Sequence, residues 1–234
     1  MALTVAELEA DIALVGGFDP DDESADIAKY RLAGLRAIAR AGAWTWLRKS
    51  FSFTMEDDVY QYDMTDSTYN MDDLFRLDTK SIRSSGSTTV LTWRTLTQID
   101  ARLGPQWKDD DTDATQPIQA TRVGNELWLA PKPGTEFIAA TPTLHGYGWR
   151  REPTSGNLYI PEEFSQFAVN AALAFGLRAD DDPEWREFFK IFQENILEMR
   201  GTTLNVGELD KVESPDWSTY DYDGWDSGDY YPSY

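Results

Sequence analysis

Cysteine is absent from the 234 residues, and histidine occurs once, as His145. Without cysteine there is neither a disulfide nor a thiolate metal site, so the fold depends on its core. A single histidine leaves little general-base capacity near neutral pH. No Gly-rich phosphate loop, His-Glu-x-x-His pair, dinucleotide fingerprint or Gly-x-Ser-x-Gly elbow occurs. A Ser-His-Asp arrangement at His145 stays open, but the Gly-rich stretch 144–148 reads better as a turn carrying an ordinary histidine. Neither a catalytic centre nor a cofactor is expected. Long apolar runs are also missing: none approaches the roughly 18 consecutive residues of a spanning helix. Basic residues are scarce, 21 Lys and Arg against 41 Asp and Glu, for a net charge of -20. Nucleic-acid binders gain affinity by neutralising phosphates, so this balance disfavours tight DNA or RNA binding. The acidity either keeps the chain soluble or forms a wall past which nucleic acid slides without sticking. Residues 1–15 carry Glu7, Glu9 and Asp11 and no Lys or Arg, the opposite of a signal-peptide start. The expectation is a soluble protein made in the cytoplasm.

What is present is 41% hydrophobic residues, enough core for one large domain or two modest ones. The chain is organised around 22–53, predicted as one long helix running into a first strand. Ala28, Leu32, Leu35, Ala39, Gly42 or Ala43 and Trp46 recur at steps of three and four, while Lys29, Arg36 and Arg40 share another face. Between Ile27 and Met55 stand six basic residues and no acid. That face either docks on an acidic neighbour or is an ordinary solvated surface. Phe51, Phe53 and Met55 then alternate with Ser52 and Thr54, so the period falls to 2 and a strand begins. Trp44 and Trp46 at the handover are large anchors, to be buried by segments near 161–178 and 183–200.

Before this helix, Thr4 and Glu7 fit a capping box, and Gly16-Gly17 stop a short helix. From 50 to 160 short β segments alternate with turns: Val59 to Tyr62, Leu74 to Leu77, Val90 to Trp93, 125–129 and Phe137-Ile138. A short helix over 96–103 interrupts them. Asp109, Asp110, Asp111 and Asp113 lack the spacing, Gly and Glu of a calcium loop, so an exposed acidic loop is the simpler reading. Pro161-Glu162-Glu163 opens a helix, and a second follows the Asp180-Asp181-Asp182-Pro183 break. Their aromatic stripes indicate core packing, although such stripes also suit a cofactor site. The fold class is α+β: a helical bundle (1–49 with 161–201), an inserted antiparallel β-sheet or small sandwich (50–160) and an extended acidic aromatic arm (202–234).

From residue 205 onward there are eight acids against the single base Lys211. Trp217, Tyr220, Tyr222, Trp225, Tyr230, Tyr231 and Tyr234 are spread among them with no helical or strand period. Aromatics set singly along an extended segment suit pockets on another chain. The other reading folds the segment back on its own domain.

The order of parts resembles the head-to-tail adaptor (connector) proteins of tailed bacteriophages, the group with podovirus tail accessory factors and tail tubular protein A. An Arg-bearing helix ends in Trp44-Thr45-Trp46-Leu47 and enters a Phe-x-Phe strand. Asn125-Glu126-Leu127-Trp128-Leu129-Ala130-Pro131-Lys132-Pro133 looks like a strand and Pro turn of the inserted sheet. Tyr147 to Pro153 looks like the segment leaving that sheet, and Tyr159 to Phe164 like the return to the bundle. The resemblance covers 22–200. It implies a dodecameric ring at the head-tail junction of the virion, assembled in the host cytoplasm. The implied partners are the portal protein and tail tube, nozzle or tail fibre proteins, with DNA passing through the channel without specific binding. Lys29, Arg36, Arg40 and the seven aromatics of the arm are the expected subunit or portal contacts. A carbohydrate-binding β-sandwich module of a phage tail or cell-surface protein, using exposed Trp and Tyr, is the alternative.

Overall fold

The computed structural model describes residues 2–85, 90–108 and 116–203. Six α-helices occur there: α1 (Val5–Gly16), α2 (Ser24–Ala41), α3 (Leu96–Leu103), α4 (Thr135–Ile138), α5 (Ser165–Ala179) and α6 (Trp185–Thr203). Eight strands complete the set: β1 (Arg48–Thr54), β2 (Gln61–Asp63), β3 (Leu74–Leu77), β4 (Arg83–Ser84), β5 (Thr92–Trp93), β6 (Gln119–Val123), β7 (Glu126–Ala130) and β8 (Thr143–Arg150). The fold is α+β. Its described part divides into two compact units, one helical, from the chain up to Leu47 and from Glu152 onward, and one mainly β, Arg48–Arg151. The acidic stretch at Asp109 to Asp113 and the arm beyond 203 lie outside the described residues.

In the helical unit, Thr4 and Glu7 cap α1 reciprocally: the Glu7 N–H donates to the Thr4 hydroxyl at 3.2 Å, and the Thr4 N–H to the Glu7 carboxylate at 2.9 Å. Gly17, at φ 70°, closes the helix in the left-handed conformation that glycine adopts without strain. Helix α2 is buried over most of its circumference, at Ile27, Tyr30, Arg31, Ala33, Gly34, Leu35, Ala37, Ile38 and Ala39. A single stripe through Ala28 and Leu32 therefore understates it, because α1 and α5 both pack against α2 and no one face is left to be the inner one.

Helix α5 is the most enclosed element, with every residue from Ala168 to Leu177 buried. Apolar and small residues all round a helix are what an encircled position requires. Small residues also let α2 approach closely. A Cβ on Gly34 would stand 2.3 Å from the Ala172 nitrogen, and one on Gly176 would stand 2.2 Å from the Tyr30 ring. Helix α6 covers α5 through Phe192, Ile196 and Met199, with the Phe175 and Phe192 rings edge to face at 5.2 Å.

Helix α2 does not run straight into the first strand. It stops at Ala41, and a 3-10 turn, Thr45–Leu47, precedes β1. The cause is Trp44, fully buried, whose indole N–H turns back to the Ile38 carbonyl at 2.5 Å. Trp46 stacks on Trp44 with ring centres 5.0 Å apart and reaches Phe164 at 5.7 Å. The buried Arg200 donates to the Ala41 carbonyl at 2.5 Å, placing a cation at the negative end of α2.

In the β unit, β8 is the central strand of a four-stranded sheet. Strand β1 pairs antiparallel along one side, from Arg48 opposite Trp149 to Thr54 opposite Thr143; β3 and β4 pair with the other side. The second sheet runs in the order β2-β7-β6-β5. Both sheets contribute to one core, Phe51, Phe53, Leu74 and Leu144 from the first, Tyr62, Ala120, Leu127 and Leu129 from the second, with Ile82 just before β4.

Four expectations change here. The stretch 144–148 is the middle of a strand, not a turn. Its glycines are needed for packing: a Cβ on Gly146 would meet the Phe51 ring at 2.9 Å, and one on Gly148 the Arg76 carbonyl at 2.7 Å. Of Tyr147 to Pro153, expected to leave the sheet, the first four residues are the end of its central strand, and the chain leaves only after Arg150. Phe137 and Ile138 are in α4, a single turn after Gly134. The second sheet is mixed, since β5 and β6 pair in parallel.

Candidate interface surfaces

The basic run of α2 separates into two roles. Lys29, Arg36 and Arg40 are exposed, whereas Arg31 is buried at 4% exposure. Arg31 Nε bonds Glu9 at 2.9 Å, and its Nη2 the Thr154 carbonyl at 3.5 Å, so this arginine joins α2 to α1 and to the segment before α5. Lys29 reaches Asp180, just after α5, at 3.1 Å, and the Tyr30 hydroxyl donates to the same carboxylate. Burial and this carboxylate raise the Tyr30 hydroxyl far above the usual phenol value.

For Asp180, burial alone would raise the carboxyl. The hydrogen bonds from Tyr30 and Lys29 and the Lys29 charge outweigh it and hold the group below the ordinary carboxylate value. A carboxyl depressed in the folded state stabilises above its unfolded value and loses that contribution as pH falls through the folded one. Acid titration of thermal stability is therefore expected to show a component below about pH 4 that Asp180→Asn removes. Identical acid limbs for the two proteins would show that the pair contributes nothing. With Lys29 half exposed, the effect is small at neutral pH and in high salt.

A second surface is the outer face of the β1-β8-β3-β4 sheet. Residues opposite one another across paired strands share a face, and alternate residues point the same way. Arg48 and Arg76 both register with Trp149, while Ser52 and Arg83 both register with His145. Between these rows lies Ser50 opposite Tyr147, which is 43% exposed. The Arg48 guanidinium lies 4.3 Å over the Tyr147 ring, and that of Arg76 lies 4.1 Å over Trp149. Arg48 also approaches Asp78 at 3.4 Å. Burial lowers the Arg76 guanidinium from its ordinary value, against the opposing effect of Asp78, yet arginine stays charged in water at any physiological pH. A shallow hollow of about 210 Å³ opens beside Ser50, Ser52, Asn70, His145 and Tyr147. It is below the size of typical small-ligand pockets and suits one side chain.

Sequence reasoning missed this face. The alternation Thr143, His145, Tyr147, Trp149 with buried Leu144, Gly146 and Gly148 was its available signal. Other aromatics of the unit are engaged with one another: Tyr60, Trp107 and Trp128 pack edge to face at 5.4, 5.6 and 6.4 Å. Those rings serve a small second core around Ile99 and Ala130 and are not laid out as a sugar platform.

Among the described residues no group of three or more acidic or histidine side chains is placed to hold a metal, and no helix is long and apolar enough to cross a membrane. His145 stands between Ser52 and Arg83. Residues 3–211 match the model of the SU10 adaptor protein family, and the chain belongs to that family. It is thus a structural bacteriophage adaptor, a virion component of the head-tail junction that associates with other head and tail proteins. Comparison with curated proteins found no match.

Proposed function

We propose that this chain is the repeating subunit of a ring between portal and tail, dodecameric as the resemblance implies, around the channel through which DNA is packaged and ejected. The observation that carries the reading is the adaptor family match over nearly the whole chain. The net charge of -20 supports it, because a channel wall must not retain the DNA that slides past. Rings close when each subunit offers two different complementary patches not related by a two-fold axis. The exposed Lys29, Arg36 and Arg40 on α2 are one candidate patch for a neighbouring subunit or the portal, and the acidic aromatic arm is another, each suited to a different surface. The partners on the two sides of the ring are the portal and a tail tube, nozzle or tail fibre protein. Function then resides in these interfaces, and no turnover depends on His145.

Cryo-EM of virions, together with the solution mass of the protein mixed with portal, tests this. A closed ring of this chain between portal and tail is expected. A stable monomer in every mixture, with no such ring on particles, would overturn the reading.

A further inference from the structure

The outer face of the β1-β8-β3-β4 sheet carries three arginines, Arg48, Arg76 and Arg83, in a chain where acids outnumber bases about two to one. Two of the guanidiniums lie over aromatic rings. Stacking fixes the plane of a guanidinium and leaves its N–H edge for a carboxylate, so less side-chain freedom is lost when an anion binds. Asp78, beside Arg48, is the one carboxylate within 4 Å of these three among the described residues. Arg83 is half-buried and has no acidic partner there. Arg48, with its side chain 46% exposed, and Tyr147 are open to a partner. The hollow beside Tyr147 adds space for one ring-sized side chain, with hydroxyl, amide and imidazole groups around it.

We infer that this sheet face is the docking site for the acidic aromatic segment 205–234 of a second copy of the chain. The statement rests on the ring reading above and names the two surfaces that meet. Complementarity selects the occupant. The segment alternates carboxylates with rings, as in Trp217-Ser218-Thr219-Tyr220-Asp221-Tyr222-Asp223-Gly224-Trp225-Asp226. The face alternates guanidiniums with rings and one ring-sized hollow. Carboxylates of the segment bond the edges of Arg48, Arg76 and Arg83, and one of its aromatic rings enters the hollow. Nucleic acid also meets stacked arginines, but the phosphate backbone would be repelled by the chain as a whole. A second copy is favoured over the same chain because arm and face are two different, complementary patches, the requirement for a head-to-tail contact that closes a ring.

The test uses the full-length protein with a photo-crosslinking benzoylphenylalanine in place of Tyr222. Equal amounts of isotope-labelled and unlabelled copies are mixed, irradiated and mapped by mass spectrometry. Links between a labelled and an unlabelled copy, on β1 or β8, are expected. Links within one copy only, links to other surfaces, or, in virions, links to the portal or to DNA would overturn the assignment. Rings whose links lie elsewhere overturn the docking site and leave the ring standing, whereas monomers at every concentration with same-copy links overturn both. In a second arm, Arg48→Glu with Arg83→Glu is expected to weaken self-association about tenfold or more, and adding Asp221→Lys, Asp223→Lys and Asp226→Lys in the same chain to restore it. Unchanged association of a folded double variant would also overturn the proposal.

Discussion

Gly34→Ala is expected to destabilise the helical unit by about 3 kcal/mol or more, although the same change in an open helix stabilises by roughly 1 kcal/mol. The added Cβ would stand 2.3 Å from the Ala172 nitrogen and 2.6 Å from its Cα. Those are backbone atoms of α5, the most enclosed helix, so the neighbour cannot swing aside as a flexible side chain would. Relief requires α2 and α5 to separate, which also loosens Tyr30 against Gly176. A calorimetric scan should show the helical transition lowered by on the order of 10 °C at this chain length. Gly201→Ala, also in a helix but with nothing within 4 Å of the new Cβ, is the control and is expected to be neutral or slightly stabilising. Equal melting of the Gly34→Ala variant and the unaltered protein would show that the crossing yields easily.

Trp44→Ala is expected to cost about 3 to 5 kcal/mol, the range for removing a fully buried large aromatic. Three losses coincide. The cavity is enclosed, Trp46 loses the ring it stacks on, and the Ile38 carbonyl loses its indole donor. Ile38 is among the last four residues of α2, whose carbonyls have no partner inside the helix. Two side chains serve that end, Trp44 at Ile38 and Arg200 at Ala41. Trp44→Phe keeps most of the packing and gives up the hydrogen bond, so a smaller loss of about 1 kcal/mol is expected. Denaturant unfolding and hydrogen exchange in the last turn of α2 would report both. If the alanine and phenylalanine variants unfold together, the hydrogen bond and not the ring volume is the dominant contribution.

The two variants probe features of different legibility. Trp44 and Trp46 announce themselves as anchors, and Phe164, which meets Trp46, lies in the stretch expected to bury them. Gly34 carries no such mark, because its reason is an approach by a helix more than a hundred residues later. The α+β class and the adaptor resemblance were legible from element order; the structure shows the first and the family match agrees with the second. The exposure of Lys29, Arg36 and Arg40 was readable from helical spacing. That Arg31 in the same run is buried against Glu9 was not, since it depends on where α1 lies.

By itself the sequence determined what neighbours along the chain decide. Thr4 and Glu7 cap α1 because an N-cap and its third residue are adjacent in any helix. Residues 96–103 form α3 by the same logic with Thr95 and Gln98. Phe51 and Phe53 face one core because a strand has a period of 2. Only the tertiary structure decided that Gly146 and Gly148 are strand residues, since the rings and carbonyl that exclude a Cβ there come from Phe51 and Arg76. It alone brought Arg48, Arg76 and Arg83 onto one face with Tyr147 and Trp149. Strand register is set by the joint burial of distant segments, and a one-residue slip would have sent every one of those side chains to the other side.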